Sequence, residues 1–409
     1  MNTHVHWIPT RSRTEAAEDA TELFRNTYNT NPAGCWVAPG RVNLIGEHVD
    51  YAQGISLPFA LSQVTAVAAA PREDTLVRIT SISGDNTLQT EVDLKDVGPK
   101  NPANWSGYIV GTIWALAEAG VVPLRGYDMA LVSDVPLGAG LSSSAALECC
   151  VAVAACDLQE ATAEKDILAK ACMRAENEVV GASTGGLDQQ ISLKGEDGHA
   201  LAIDFRDNSS YQVPFDMEGH GLAILVVDTN APHELADGQY ASRRAVIDGV
   251  SEKFGPLRDQ ENLNPDQWAD ENPDPSGTLD AEAWRKKVRA RVAHVQSEIA
   301  RTANAIEELK RGDMQAFGNS MCASHASLRD DYEVSCPELN MVVDTAMAQG
   351  ALGARMTGGG FGGSAIALVK KADIEKIAQA IADAFAEANF RDPRVAVAIP
   401  AAGAQRVEV

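Results

Sequence analysis

One stretch limits the fold more than any other: Pro136-Leu-Gly-Ala-Gly-Leu-Ser-Ser-Ser-Ala-Ala-Leu-Glu148. Before it, residues 127–134 carry apolar side chains at Met129, Leu131 and Val132 and read as a strand. After it, Ala145 to Leu158 is rich in Ala, Leu and Val without Pro or Gly and reads as a largely buried helix. Gly138 and Gly140 let the connecting backbone turn tightly and approach a ligand. Ser142, Ser143 and Ser144 fall where the helix starts, as cap or first-turn residues. A helix N-terminus offers unpaired N–H groups and partial positive charge, which suits a phosphate. Two other readings stay open on the loop alone. It could be purely structural. It could also be a dinucleotide site, although Ser143 stands where the third glycine of that fingerprint belongs. No Gly-Lys-Ser/Thr follows the glycines, so it is not a Walker A loop.

Composition narrows the partners. The 409 residues carry 34 basic and 57 acidic side chains, a net charge of −23. Such a chain is a poor binder of nucleic acid or anionic membrane. A polyanionic ligand such as ATP then needs a local N–H-rich or positive site, or a metal ion. The seven cysteines (35, 149, 150, 156, 172, 322 and 336) are odd in number and form no C-x-x-C pair. Free buried thiols in a reducing compartment fit this pattern. The N-terminus lacks a basic start and an apolar run of signal length. No apolar run approaches the roughly 18 residues of a membrane span. These features predict a cytoplasmic protein.

In chain order, residues 13–28 read as an amphipathic helix with Ala16, Ala17, Ala20, Leu23 and Phe24 on one side. A strand begins at Trp36. Residues 61–93 alternate apolar and polar and read as sheet strands. Helices are predicted over 105–120 and 164–180, the second carrying Glu176. A glycine-rich loop, 181–190, follows and contains Asp188. Residues 222–230 read as a buried strand, and the second lobe starts near there. The Pro-, Asp-, Asn- and Gly-rich stretch 255–280 reads as a long, mobile surface excursion. Helices over 281–310 and 313–329 come next. Then Gly353 to Ser364, with five glycines between 358 and 363, reads as a third glycine-rich loop, followed by a strand over 365–369. Glu47, His48 and Asp50 crowd three polar groups between Gly46 and Gly54. That cluster could be a surface turn, a metal site or a set of partners for a polyol. With no second His nearby, the metal reading is weak.

Gly40-Arg-Val-Asn-Leu-Ile-Gly-Glu-His-Val-Asp-Tyr-x-x-Gly54 resembles the signature of galactokinases, members of the GHMP kinase superfamily. Motifs at 40–54, 136–148, 176–189, 322–339 and 353–363 follow the family order, so the resemblance covers nearly the whole chain. It implies an α+β fold of two lobes, 1–220 and 221–409, with the site in the cleft between them. It implies ATP-dependent phosphorylation of galactose at the C1 hydroxyl. The loop Gly138, Ala139, Gly140, Leu141, Ser142, Ser143 and Ser144 would hold the phosphates, Ser144 and Glu176 would hold Mg²⁺, and Ser81 would meet the nucleotide. Asp188 would be the catalytic base and Arg41 its partner, with Glu47, His48, Asp50, Asp188 and Tyr240 on the sugar. A monomer binding only small molecules is implied. The sequence departs from the usual family form at Thr184, Gly186 and Gln190. An N-acetylgalactosamine or other sugar-1-kinase, or a non-catalytic galactose sensor, are the alternatives.

Overall fold

Two apolar strand signals, at 64–70 and 127–132, find each other. Ala66, Val67, Ala68 and Ala69 lie opposite Val132, Leu131, Ala130 and Met129 in antiparallel register. Side chains alternate across a sheet. Val67, Ala69, Met129 and Leu131 therefore enter one core, and Ala66, Ala68, Ala130 and Val132 another.

The computed structural model describes residues 4–83, 86–182, 184–231 and 236–409. Its first half runs β1 (His6–Trp7), α1 (Arg13–Tyr28), β2 (Gly34–Asn43), β3 (Ile55–Ser56), β4 (Pro58–Pro71), β5 (Leu76–Ser83), β6 (Asn86–Asp93), α2 (Trp105–Glu118), β7 (Tyr127–Ser133), α3 (Ser143–Leu158), α4 (Lys165–Arg174), α5 (Leu187–Lys194), β8 (His199–Asp204) and β9 (Ser209–Pro214). The second half runs β10 (Leu222–Asp228), α6 (Ala236–Phe254), α7 (Asp266–Glu271), α8 (Ala281–Lys310), α9 (Met314–Asp330), α10 (Pro337–Ala348), β11 (Gly353–Thr357), β12 (Ser364–Lys370), α11 (Ile374–Glu387), β13 (Arg394–Ala398) and β14 (Gln405–Val407).

A six-stranded sheet has the order β14-β2-β4-β7-β5-β6. Helix α1 covers one face with Ala16, Ala20 and Phe24, and α2, α3 and α4 cover the other with Ile113, Cys149, Val151 and Leu168. A five-stranded sheet has the order β1-β13-β10-β12-β11, and β3, β8 and β9 form a small third sheet. Strand β10 is apolar from Leu222 to Val227, as both its faces are covered. Ala223, Leu225 and Val227 meet the helices of the second half, while Leu222, Ile224 and Val226 share a core with Val42 and Phe59 of the first half. The chain ends cross between the sheets: β1 pairs with β13, and β14 with β2.

Four expectations change. The helix predicted over 164–180 is two pieces, α4 and a π-helical turn at Ala175–Val180. The loop at 181–190 ends early, because α5 starts at Leu187 and puts Asp188 in its first turn. Gly353 to Thr357 is strand, paired with β12, and only 358–363 is loop. The stretch 255–280 carries a 3-10 turn and α7, and buries Leu257 and Ala269. There Trp268 packs directly on Gly249 of α6, so tertiary contact overrides a loop-like composition.

Helix α9 crosses the start of β11 at backbone distance. A Cβ on Gly318 would lie 2.6 Å from the Leu352 carbonyl carbon and 3.0 Å from the Gly353 nitrogen. Gly318→Ala should therefore cost about 1–3 kcal/mol, the usual toll of overpacking. Gly98→Ala, where a Cβ meets nothing within 4 Å, should stay within about 0.5 kcal/mol. Chemical unfolding of the two variants beside the parent checks this, and equal losses would contradict it.

Candidate active site

The loop between β7 and α3 turns through Gly138 and Gly140, at φ 72° and 69°, and Ser142, at φ 60°. Successive carbonyls are tied down behind it. Ala139 O accepts from the Ser364 hydroxyl (2.7 Å), Gly140 O from Arg41 Nη1 (2.5 Å), and Leu141 O from the Arg41 backbone N–H (3.1 Å). Gly40 permits this closeness, since a Cβ there would lie 2.6 Å from Leu141 O. Ser142 occupies the N-cap position of α3 but does not cap it. Its hydroxyl donates instead to Asp188 Oδ2 at 2.5 Å, and no side chain caps the helix. The first-turn N–H groups are thus not consumed by a side-chain cap, as an anion site requires.

Asp188 stands at the junction. Arg41 Nε lies 2.9 Å from its Oδ1, and Arg41 Nη2 donates to Oδ2 at 3.1 Å. Arg41 is buried on β2, while the Asp188 carboxylate keeps 25% exposure toward the cleft. Asp188 is thus an ion-paired carboxylate that still faces a ligand space.

Behind it is a second polar layer. Ser144 Oγ donates to Glu176 Oε1 (3.0 Å). Thr184 Oγ1 (2.9 Å) and Gln189 Nε2 (2.7 Å) donate to Glu176 Oε2. Burial, aided by the Asp188 charge, raises the Glu176 pKa above the ordinary value. The buried Glu148 accepts from Gln189 Nε2 at 3.0 Å and is pushed well up by burial and by Glu176. Among the described residues, no three His, Cys, Asp or Glu side chains gather to hold a metal ion by themselves. The Ser144–Glu176 pair offers two hard oxygen ligands, which suits Mg²⁺ because that ion takes most of its shell from water and phosphate.

The Gly46–Tyr51 segment faces this from the other side. Glu47 Oε1 accepts the Gly358 N–H (2.7 Å) and lies 3.6 Å from Arg355 Nη1. His48 Nε2 sits 3.1 Å from the Gly359 carbonyl, and Nδ1 3.0 Å from the Tyr51 hydroxyl. A carbonyl only accepts, so Nε2 carries the proton and Tyr51 donates to Nδ1. Burial pulls the His48 pKa down to about 3, so the ring is neutral. Both its nitrogens are spent inside the protein, and its ring packs on Tyr240 with centroids 5.2 Å apart. Half-buried Asp50 is raised to about 6, first by desolvation and then by Asp188 and Glu47. A Cβ on Gly185 would lie 2.7 Å from the Asp50 carboxyl carbon, so a side chain at that loop position would displace the Asp50 carboxylate.

Arg41, Glu47, His48, Asp50, Asp188 and Tyr240 all line one cavity of about 640 Å³. Ser142 bonds the lining residue Asp188, whereas Ser144 bonds Glu176, which lies one step behind the lining residue Thr184. Ser81 lies in β5, paired between Leu88 and Leu131, and is not among the lining residues. The unusual Gly186 has a local reason: its φ is 90°, and a Cβ would come within 2.9 Å of Met173 Cε. Residues to which the sequence reading gave no role in the site complete it. Thr184 and Gln189 hold Glu176. Arg355 approaches Glu47, and Tyr332 hydrogen-bonds Tyr51 at 2.7 Å. Met356-Thr-Gly after Arg355 was a signal that this arginine stands beside the third glycine loop. Tyr332 carried no such mark.

Comparisons with known proteins identify the family. A galactokinase galactose-binding signature matches residues 22–71, a GHMP kinase N-terminal domain 107–196, and a GHMP kinase C-terminal domain 305–387. A galactokinase from Streptomyces coelicolor is 46% identical over 94% of this chain and 97% of its own length. The human galactokinase is 40% identical over 87% of this chain and 88% of its own. The crystal structure of a Lactococcus lactis galactokinase complexed with galactose superposes with a TM-score of 0.84 at 31% identity, covering 95% of this chain and 98% of that one. A mevalonate kinase, at 19% identity and a TM-score of 0.59, shares the fold. An ion-paired aspartate between a glycine-serine loop and a Glu-His-x-Asp segment, with these likenesses over nearly the whole length, shows that the chain belongs to the galactokinase family of the GHMP kinases.

Proposed function

We propose that this protein transfers the γ-phosphoryl group of ATP to the C1 hydroxyl of D-galactose, giving α-D-galactose 1-phosphate and ADP. The observation that carries this is the double engagement of Asp188. Its carboxylate meets Ser142 of the phosphate loop and Arg41 together, at the edge of the cavity lined by Glu47, Asp50 and Tyr240. A general base for this reaction must stand where the two substrates meet.

Phosphoryl transfer needs alignment, charge neutralisation and a proton acceptor rather than covalent chemistry by the protein. The loop Gly138–Ser144 and the N-terminus of α3 would bind the phosphates. Glu47, Asp50 and Tyr240 would pair with ring hydroxyls, while His48, with both nitrogens committed, would hold the shape of that wall. The C1 oxygen forms a bond to the γ-phosphorus as the bond from that phosphorus to the bridging oxygen breaks. The hydroxyl proton passes to Asp188, and ADP leaves. Arg41 keeps the carboxylate in place and supplies positive charge beside the transferring group. Ser144 and Glu176 would hold Mg²⁺, which when bound neutralises phosphate charge. We place the lobe boundary near residue 220, where β10 opens the second sheet apart from β1. No described helix is long and apolar enough to cross a membrane. Seven free cysteines, five of them buried, support a reducing cytoplasm.

ADP release with ATP-Mg²⁺ tests the reading across galactose, N-acetylgalactosamine, glucose and no sugar. Turnover should require galactose, and preference for the N-acetyl sugar would overturn the assignment. Asp188→Asn should lower kcat by about 10²- to 10⁴-fold, the usual worth of a general base. Galactose and ATP binding, followed by calorimetry, should survive; undiminished kcat would remove Asp188 from the base role. Asp50→Asn separates stability from binding. A carboxyl near 6 when folded, against an ordinary value of about 3.9, holds its proton more tightly in the folded state. Its stabilising contribution is therefore present below about pH 4 and is lost as pH rises through about 6. Asparagine never ionises, so Asp50→Asn should be more resistant to urea than the parent above pH 6, with the gap closing toward pH 4. The same variant should bind galactose more weakly. A gap independent of pH would show that Asp50 does not carry the raised pKa.

A further inference from the structure

The segment bearing Glu47, His48 and Asp50 is not in a relaxed conformation. Gly46 has φ 91° and His48 φ 59°. The N–H and C=O groups of so irregular a turn find no partner within regular secondary structure and need others when buried. Two of them find partners on α8, a helix distant in sequence. Glu298 Oε1 accepts the Gly46 N–H at 2.9 Å. His294 Nε2 lies 3.2 Å from the Glu47 carbonyl and, facing an acceptor, carries the proton. His294 and Glu298 are four residues apart and so sit on one face of the helix. Their neighbours along it, Val288, Val292, Val295 and Ile299, belong to the apolar core.

Glu298 is fully buried. A buried carboxylate is expensive unless its oxygens are satisfied. Here Oε1 takes a second bond from the Ser324 hydroxyl of α9 at 2.6 Å, and Oε2 pairs with Arg301. Burial alone would push its pKa up, but His294, Arg355 and Arg301 bring it below the ordinary value. An apolar residue would pack this spot at lower cost and leave the Gly46 N–H without a partner. Thr302, one turn further, closes the other side of the glycine: a Cβ on Gly46 would lie 3.1 Å from its hydroxyl. The family models match 22–71, 107–196 and 305–387, so residues 294–302 lie outside all three segments.

We propose that Glu298 is a positioning residue for the sugar. Through the Gly46 N–H it sets the direction in which Glu47 and Asp50 face the cavity, and it does so without lining the cavity itself. This rests on the reading that galactose is held by that segment. The loop proposed to bind phosphate hangs from Arg41 and Ser364 instead, whose bonds to it do not involve Glu298.

Steady-state kinetics of the full chain tests it, with galactose and ATP varied separately well below the unfolding temperature of each variant. Glu298→Ala should raise KM for galactose about tenfold, equivalent to about 1.4 kcal/mol, and leave KM for ATP within twofold. Glu298→Gln, which keeps an acceptor oxygen on the Gly46 N–H, should recover most of the loss. Equal rises in both KM values, a fall in thermal stability with an unchanged galactose KM, or failure of Glu298→Gln to rescue would each overturn the proposal. Should Glu298→Ala not fold, His294→Leu loosens the same turn from the same helix face, since it removes the bond to the Glu47 carbonyl together with the one to the Ser327 hydroxyl. It should show the same galactose-specific rise, and an unchanged galactose KM there would overturn the proposal too. The parent enzyme run beside the variants separates the two readings. A parent that turns over no galactose defeats the proposed function, whereas an active parent with an unaffected Glu298→Ala defeats this inference alone.

Discussion

Arg41 is the contact on which the site depends. Its backbone N–H holds the Leu141 carbonyl, its Nη1 holds the Gly140 carbonyl, and its Nε and Nη2 face Asp188. One side chain thereby fixes the phosphate loop and the carboxylate that must work beside it. The strand supplies the rigidity. Arg41 lies in β2, hydrogen-bonded to β4 just past an irregularity between Pro39 and Arg41 in their register. That irregularity falls at Gly40, the residue whose missing Cβ lets the strand touch Leu141. A bulge re-aims a side chain, and here it aims a guanidinium across the cleft.

The chemistry poses an electrostatic difficulty. Glu47, Asp50, Glu176 and Asp188 surround a place that must accept a triphosphate, in a chain already at −23. The structure divides the charges between two surfaces. On the phosphate side, carbonyls are pinned back by Ser364 and Arg41, and the start of α3 is left without a side-chain cap. The carboxylates find donors on both sides: Gly358 N–H for Glu47 on the sugar wall, and Ser144, Thr184 and Gln189 for Glu176 behind the loop. Sugar hydroxyls are donors too, so an excess of acceptors suits that wall. A wall that pairs specific hydroxyls also discriminates epimers, because a misplaced hydroxyl leaves buried acceptors unpaired. The raised pKa of Asp50 follows first from burying its carboxyl and then from the nearby charges of Asp188 and Glu47.

Much of this was legible in the sequence because it is local. A strand, two glycines, three serines and an apolar helix follow one another at 127–158, and periodicity marks them. The crowding of Glu47, His48 and Asp50 between glycines was equally plain. The fate of each group was not. His48 reads as a hydroxyl partner, yet both nitrogens serve Gly359 and Tyr51. Ser142 reads as a helix cap, yet it faces Asp188. The start of α5 was hidden because Gly186, with φ 90°, ends the loop one residue before a helix that has no side-chain cap. The second polar layer, Thr184, Gln189 and Glu148, joins segments up to 41 residues apart, and no window of sequence spans it.

The two outer glycine loops have a shared reason that neither shows alone. Gly358 and Gly140 meet across the junction of the lobes: a Cβ on Gly358 would lie 3.2 Å from Gly140 O, and one on Gly140 3.9 Å from Thr357 O. Beside them Ser364 holds Ala139 O, and Gly359 presents its carbonyl to His48. The phosphate loop of the first half and the glycine loop of the second are therefore packed backbone to backbone, and side chains there would force them apart. Separating the halves would break the Ser364–Ala139 bond and the Glu47–Gly358 bond together, and would expose the core shared by Val42, Phe59, Ile224 and Ile366. Each of those losses is unfavourable by itself. The cleft is thus built into the junction rather than assembled by closure of two independent bodies.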